Sequence, residues 1–299
     1  MEALGLPLVY RGLVPDVAIR FGIRTMLGGT ASAQNSVPPY KRIANKMSYV
    51  ADLKSRPLAE FTKAANEQHY EVPSAFFEFV MGRYKKYSCG LWPEDGSPCT
   101  LDESEAAALA LVCERAKLSN TAGLRVLDMG CGWGSFSLYA AERFPLASFT
   151  GVSNSATQRE FIMAQAAARG IKNLTIVTCD INIFEGEGRE FDRVVSIEMM
   201  EHVKNYQQLL RRVASWMKPG GLMFVHIFTH AHTPFHYVSP QPSPPPSPFF
   251  SPLSLFLRLP SHSSHYLVLA PLYFYPAAVF LPPPTPTLPD GRLDGSGVL

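Results

Sequence analysis

The 299-residue chain has no CxxC pair, and its cysteines are odd in number: Cys89, Cys99, Cys113, Cys131 and Cys179. Neither a disulfide framework nor a metal site is indicated, and a reducing, cytoplasmic compartment is expected. Charge of one sign is not in excess either. The balance of 27 basic against 25 acidic residues leaves +2, so neither nucleic acid nor an anionic membrane is an expected partner. The opening residues carry no basic segment followed by a long apolar one, which is not the pattern of a secretory signal. Residues 1–45 are poor in acids and contain Arg11, Arg20 and Arg24, which leaves an organelle transit peptide open. The plainer reading is an amphipathic helix with Val14, Ala18, Phe21 and Leu27 on one face. Long apolar runs are scarce. Residues 265–281 barely reach the length of a membrane span and are broken by Pro271 and Pro276, so no stable membrane insertion is expected.

What the chain does have is a turn rich in glycine. Val126 and Leu127 supply buried-strand character, Asp128 closes the strand, and Gly130, Gly132 and Gly134 follow at alternate positions before the apolar helix pattern of Ser135-Phe136-Ser137-Leu138. Glycine permits positive φ and close approach of backbone to a ligand, and open α/β sheets bind ligands beyond the carboxyl ends of their strands. A dinucleotide fingerprint would place its third glycine three residues after the second; here the interval is two, and Ser135 stands at the expected place. The pattern Asp-x-Gly-x-Gly-x-Gly instead resembles class I methyltransferases that use S-adenosylmethionine. In those enzymes the acidic residue faces the cationic methionine end of the cofactor.

Composition divides the chain into three zones. Residues 1–99 read as a helical cap with turn signals at Pro38-Pro39, Pro57 and Pro73. Residues 100–233 alternate strands, near 125–129, 148–152, 174–178, 193–197 and 222–228, with helices near 134–143, 156–169 and 206–217. Such alternation predicts a doubly wound, mostly parallel Rossmann-like sheet, the cofactor-binding domain. Lys218-Pro219-Gly220-Gly221 reads as a helix stop and turn into the fifth strand. Residues 234–299 hold 16 of the 26 prolines and four charged residues, a low-complexity tail expected to be disordered.

Three further clusters fall at strand ends. Ser153, Asn154 and Gln158 follow the second strand, where neutral groups suit ribose hydroxyls; the alternative is helix capping by Asn154 or Ser155. Asp180 and Ile181 follow the third, where a carboxylate suits an adenine amino group and an apolar side chain the ring face. Glu198, Glu201 and His202 follow the fourth at i, i+3 and i+4, and would share one face if a helix begins there. Carboxylates and a histidine there suit removal of a proton from an amine nucleophile. The alternative is a glutamate favouring a helix N-terminus and an interior histidine.

Residues 66–73, 86–90, 100–103, 126–136 and 196–206 together resemble the coclaurine N-methyltransferase-like enzymes, relatives of cyclopropane-fatty-acyl-phospholipid synthases, over about residues 10–237. The resemblance implies S-adenosyl-L-methionine as cofactor, contacted by Tyr87, Ser88, Gly130, Gly132, Asn154, Gln158, Asp180, Ile181 and Ile197, with Asp128 and Gly134 completing the turn. It assigns catalysis to Glu198, Glu201 and His202 and a small amine as substrate. Synthase-type transfer to an unsaturated lipid is the second reading, because such enzymes hold bicarbonate with residues that resemble Cys89, Glu201 and His202. Glu198 favours the amine. The proline-rich tail stands where the family has substrate-binding helices and the last strands of the sheet. Those strands are therefore expected to be missing, and a catalytically inactive, cofactor-binding remnant is the third reading.

Overall fold

The computed structural model describes residues 8–9, 11–60, 74–188 and 190–228. The proline-rich tail, the expected loss of the last strands and the 66–73 motif lie outside the described residues. Residues up to 52 belong to one compact unit and residues 53–228 to another.

In the first unit, α1 (Asp16–Asn35) is followed by α2 (Pro39–Ser55), whose last turn runs into the second. Arg42 clamps the turn between the helices by donating to the carbonyls of Val37 (2.7 Å) and Asn35 (2.9 Å). The proposed apolar face is largely exposed; Phe21 is 73% exposed.

The second unit is a sheet with helices on its faces. In chain order it holds α3 (Ser74–Val80), α4 (Leu101–Arg115), β1 (Arg125–Met129), α5 (Ser135–Arg143), β2 (Ser148–Ser153), α6 (Ala156–Ala168), β3 (Leu174–Thr178), β4 (Phe191–Ile197), α7 (Tyr206–Trp216) and β5 (Met217–His226). All strand pairings are parallel, in the order β3-β2-β1-β4-β5. The doubly wound architecture is the one expected. Successive strand residues face opposite layers: Val126, Val195 and Phe224 pack with α4, α5 and α6, while Leu127, Val194 and Met223 pack with α7. β5 begins earlier than the sequence suggests, because Met217 already pairs with Phe191 across a bulge. Proline and glycine are tolerated at such a bulge on an outer strand.

The chain order reverses between β1 and β4, so the loops after these two strands open a crevice at their carboxyl ends. The 82–90 segment reaches that crevice because α4 holds it. Thr100 and Glu103 cap α4 reciprocally. From its first turns Asp102 accepts the Arg83 N–H (2.7 Å), and Glu105 accepts those of Gly82 (3.0 Å) and Tyr84 (2.9 Å). A side chain at Gly90 would meet Ser104 Oγ at 2.4 Å, so the segment lies flush on the helix.

Candidate active site

The crevice is a cleft of about 100 Å3, lined on one side by residues 85–88 and on the other by the glycine turn, the start of α5, Gln158, Ile197 and Glu198. Gly130, Gly132 and Gly134 all have positive φ. Their surroundings differ. A Cβ at Gly130 would meet Met199 at 2.4 Å and one at Gly134 would meet Ile162 at 2.6 Å, whereas Gly132 faces open space. Two of the glycines thus allow the turn to pack, and Gly132 leaves bare backbone toward the cleft.

Asp128, 1% exposed, accepts a hydrogen bond from Ser137 Oγ at 2.6 Å. Burial pushes its carboxyl up to about 7 against the pull of that bond. Across the cleft Ser153 Oγ donates to Gln158 Oε1 (2.6 Å) and fixes that amide. Gln158 Nε2, Trp133 Nε1 and Ser135 Oγ are buried and without a hydrogen-bond partner among the described residues. Three such groups around one cleft suit a polar ligand, since an unmade buried hydrogen bond costs about 1–3 kcal/mol. The cap of α6 is Ser155, whose Oγ accepts the Gln158 N–H at 3.3 Å, so Asn154 is spared that role.

Glu198 follows β4 with φ at +50°, a left-handed conformation costing about 1–2 kcal/mol outside glycine. Its N–H donates to the His226 carbonyl (2.8 Å), and its Oε1 accepts from Cys89 Sγ at 3.6 Å. Burial raises the Glu198 carboxyl, offset by the Lys86 ammonium. Lys86 is 6% exposed, donates to Ser88 Oγ and to the Cys89 carbonyl (2.7 Å), and burial lowers its ammonium. Burial likewise pushes the Cys89 thiol up to about 11, so it is a neutral donor at pH 7.

The expectation that Glu198, Glu201 and His202 share a helical face is not met. A single 3-10 turn spans Met200–His202, and Glu198 stands before it with left-handed backbone. Glu201 Oε1 accepts the Phe228 N–H (2.6 Å), while its buried Oε2 has no partner among the described residues. Burial raises this carboxyl as well. The histidine gathered with Cys89 is His226, because β4 and β5 pair Ile197 with it; His202 is half-buried on the 3-10 turn.

Of the other expected residues, Tyr87, Ser88 and Ile197 line the cleft and Gly134 sits behind it. Asn154, Asp180 and Ile181 lie at the ends of β2 and β3, outside the lining. Asp180 Oδ1 accepts the Asn182 N–H at 2.8 Å, and Arg212 holds the following loop through the carbonyls of Ile181 (3.0 Å) and Asn182 (2.9 Å). Lys86, Trp133, Ser135 and His226 were not among the expected site residues. A glycine turn followed by tryptophan and serine was the one signal that could have marked the middle pair.

A parallel doubly wound sheet with a glycine turn at its switch point defines the class I methyltransferase fold. The family model "Mycolic acid cyclopropane synthetase" matches residues 59–240, and the chain belongs to that family. It is 36% identical over 219 residues to (S)-coclaurine N-methyltransferase of Thalictrum flavum subsp. glaucum, covering 73% of this chain and 59% of the relative. The corresponding protein of Papaver somniferum is 35% identical over 219 residues, 73% of this chain and 61% of the relative. Cyclopropane-fatty-acyl-phospholipid synthase of Escherichia coli (strain K12) is 34% identical over 162 residues, 54% of this chain and 39% of the relative. Among solved structures, coclaurine N-methyltransferase bound to N-methylheliamine and SAH superposes with a TM-score of 0.70 at 31% identity, covering 79% of this chain and 65% of that one. The chain spans about three fifths of the length of the N-methyltransferases it matches.

Among the described residues, no helix is long and apolar enough to cross a membrane.

Proposed function

We propose that this chain is an N-methyltransferase that uses S-adenosyl-L-methionine to methylate a small, alkaloid-like amine. The observation that carries the reading is the meeting of two features in one cleft, the glycine turn after β1 and the Glu198 carboxylate after β4. The cofactor fits the groups present. Asp128 suits a cationic methionine end; Gln158, Trp133 and Ser135 offer donors without protein partners; Gly132 leaves backbone clear; and Tyr87, Ser88, Gly130 and Ile197 complete the lining. Gly134 supports the turn from behind. Asn154, Asp180 and Ile181, at the neighbouring strand ends, are assigned to the nucleoside half. When bound, the cofactor supplies an electrophilic methyl group on a sulfonium.

An amine must lose its proton before it can attack. Glu198, raised by burial, is the better base for that burial and reaches the cleft directly. Glu201, tethered through Oε1, keeps Oε2 for the incoming cation or its proton, and His202 beside it is the third member of the proposed acid–base group. Alignment of the amine and the methyl group supplies much of the remaining rate. The compartment we favour is cytoplasmic, which the five free thiols support.

A second reading, transfer to an unsaturated fatty acyl chain, is favoured by the family model, by the synthase relative and by the presence of Cys89. Incubation of the full chain with methyl-labelled S-adenosylmethionine and separate benzylisoquinoline, phenethylamine and phospholipid acceptors decides between them. Label on nitrogen supports the proposal; label on lipid replaces it with the second reading. Cofactor binding without transfer to any acceptor is the outcome expected of the inactive remnant.

A further inference from the structure

We propose that Cys89, Glu198 and His226 form a binding site for a borderline-soft divalent cation, Zn2+ in particular, beside the cleft at Glu198. One ligand atom from each lies within 4.8 Å of the other two. Thiolate, imidazole and carboxylate are the donor types Zn2+ prefers, and three protein ligands with one open position form the usual geometry of a zinc site that keeps a water.

Each ligand is placed by contacts that do not need the ion. Cys89 sits on the segment pinned to α4, its carbonyl held by Lys86 at 2.7 Å. Glu198 and His226 end neighbouring strands and are locked together by the Glu198 N–H on the His226 carbonyl at 2.8 Å. All three side chains are half-buried, so an ion can reach them without unfolding. The thiol proton of Cys89 is released to solvent as the sulfur–metal bond forms. Lys86 is the charge that opposes a cation here, and its ammonium is engaged by Ser88 Oγ and the Cys89 carbonyl.

The site shares Glu198 with the proposed acid–base group. On that reading, bound Zn2+ would inhibit methyl transfer by withdrawing the carboxylate, while cofactor binding at the glycine turn would persist.

The test uses the folded full chain and Co2+ as a spectroscopic probe, so its readout does not depend on turnover. We expect about one equivalent of Co2+ to produce thiolate-to-metal charge-transfer absorption and tetrahedral d–d bands, both bleached by Zn2+. Cys89→Ser should abolish the charge-transfer band, and His226→Gln should weaken binding by at least the roughly 10–100-fold that loss of an outer-shell partner costs. Absence of the band in folded wild-type protein would overturn the site. So would its persistence in Cys89→Ser, which would assign it to Cys99, Cys113, Cys131 or Cys179. S-Adenosylmethionine binding, measured by calorimetry on the same samples, reports on the methyltransferase reading separately.

Discussion

Replacing Asp128 by asparagine should stabilise the empty protein while crippling its ligand affinity. Asp128 is fully enclosed, and its carboxyl titrates near 7 in place of its ordinary 3.8. Between those values the folded state holds a proton that the unfolded state has released, so stability falls as pH rises through this window and levels off above it. The interval is roughly three pH units at about 1.4 kcal/mol each, which caps the cost at about 4 kcal/mol above pH 7. Asparagine keeps the shape and an acceptor for Ser137 but carries no charge. Thermal unfolding without ligand should therefore show wild type losing stability from pH 5 to 8 by more than Asp128→Asn does. Binding runs the other way. A cationic ligand needs the ionised carboxylate, so wild-type affinity for S-adenosylmethionine should fall with acidity, approaching tenfold per pH unit below 7. The variant should bind weakly and lack that slope, which separates Asp128 from every other titrating group. Equal pH slopes in the two proteins, by calorimetry between pH 7 and 5.5, would refute the argument.

Trp133→Phe removes an unpaired donor together with part of a buried indole packed on Phe77 and Phe161, so the empty protein should melt lower, while affinity for S-adenosylmethionine falls by at least about 2–12-fold, the worth of one neutral hydrogen bond. Gly132→Ala should cost about 1–2 kcal/mol through its φ of +53° and should weaken the cofactor, whereas Gly130→Ala adds a 2.4 Å collision with Met199 and should lower the melting temperature further. Glu198→Gln, Glu201→Gln and His202→Ala should each lower turnover at least about 100-fold with little change in cofactor affinity by calorimetry; loss of cofactor binding instead would remove that residue from proton transfer.

The sheet was legible because buried runs bounded by turn residues are a local signal: β1 and β3 have the bounds the pattern suggests. The local pattern starts β5 too late, since its first rungs pair across a bulge whose Pro219 and Gly220 look like a turn. The glycine turn announced the cleft, yet it did not reveal that Gly130 and Gly134 are also closed in by Met199 and Ile162 while Gly132 is open. Helical spacing misplaced Glu198, because one left-handed residue turns the chain out of register. His226 was not legible at all. Its nearness to Cys89 depends on the pairing of β4 with β5 and on a segment anchored to α4, and no local pattern encodes such distant neighbours.

Both acids of the proposed reaction centre are moored at one edge of the described sheet: Glu198 to the carbonyl of His226, the last residue of β5, and Glu201 to the amide of Phe228 just past it. The glycine turn hangs from β1 and β2, in the sheet's interior. Chains that diverge just past β5 would therefore drift in acid strength and acceptor preference long before they lost their grip on the methyl donor.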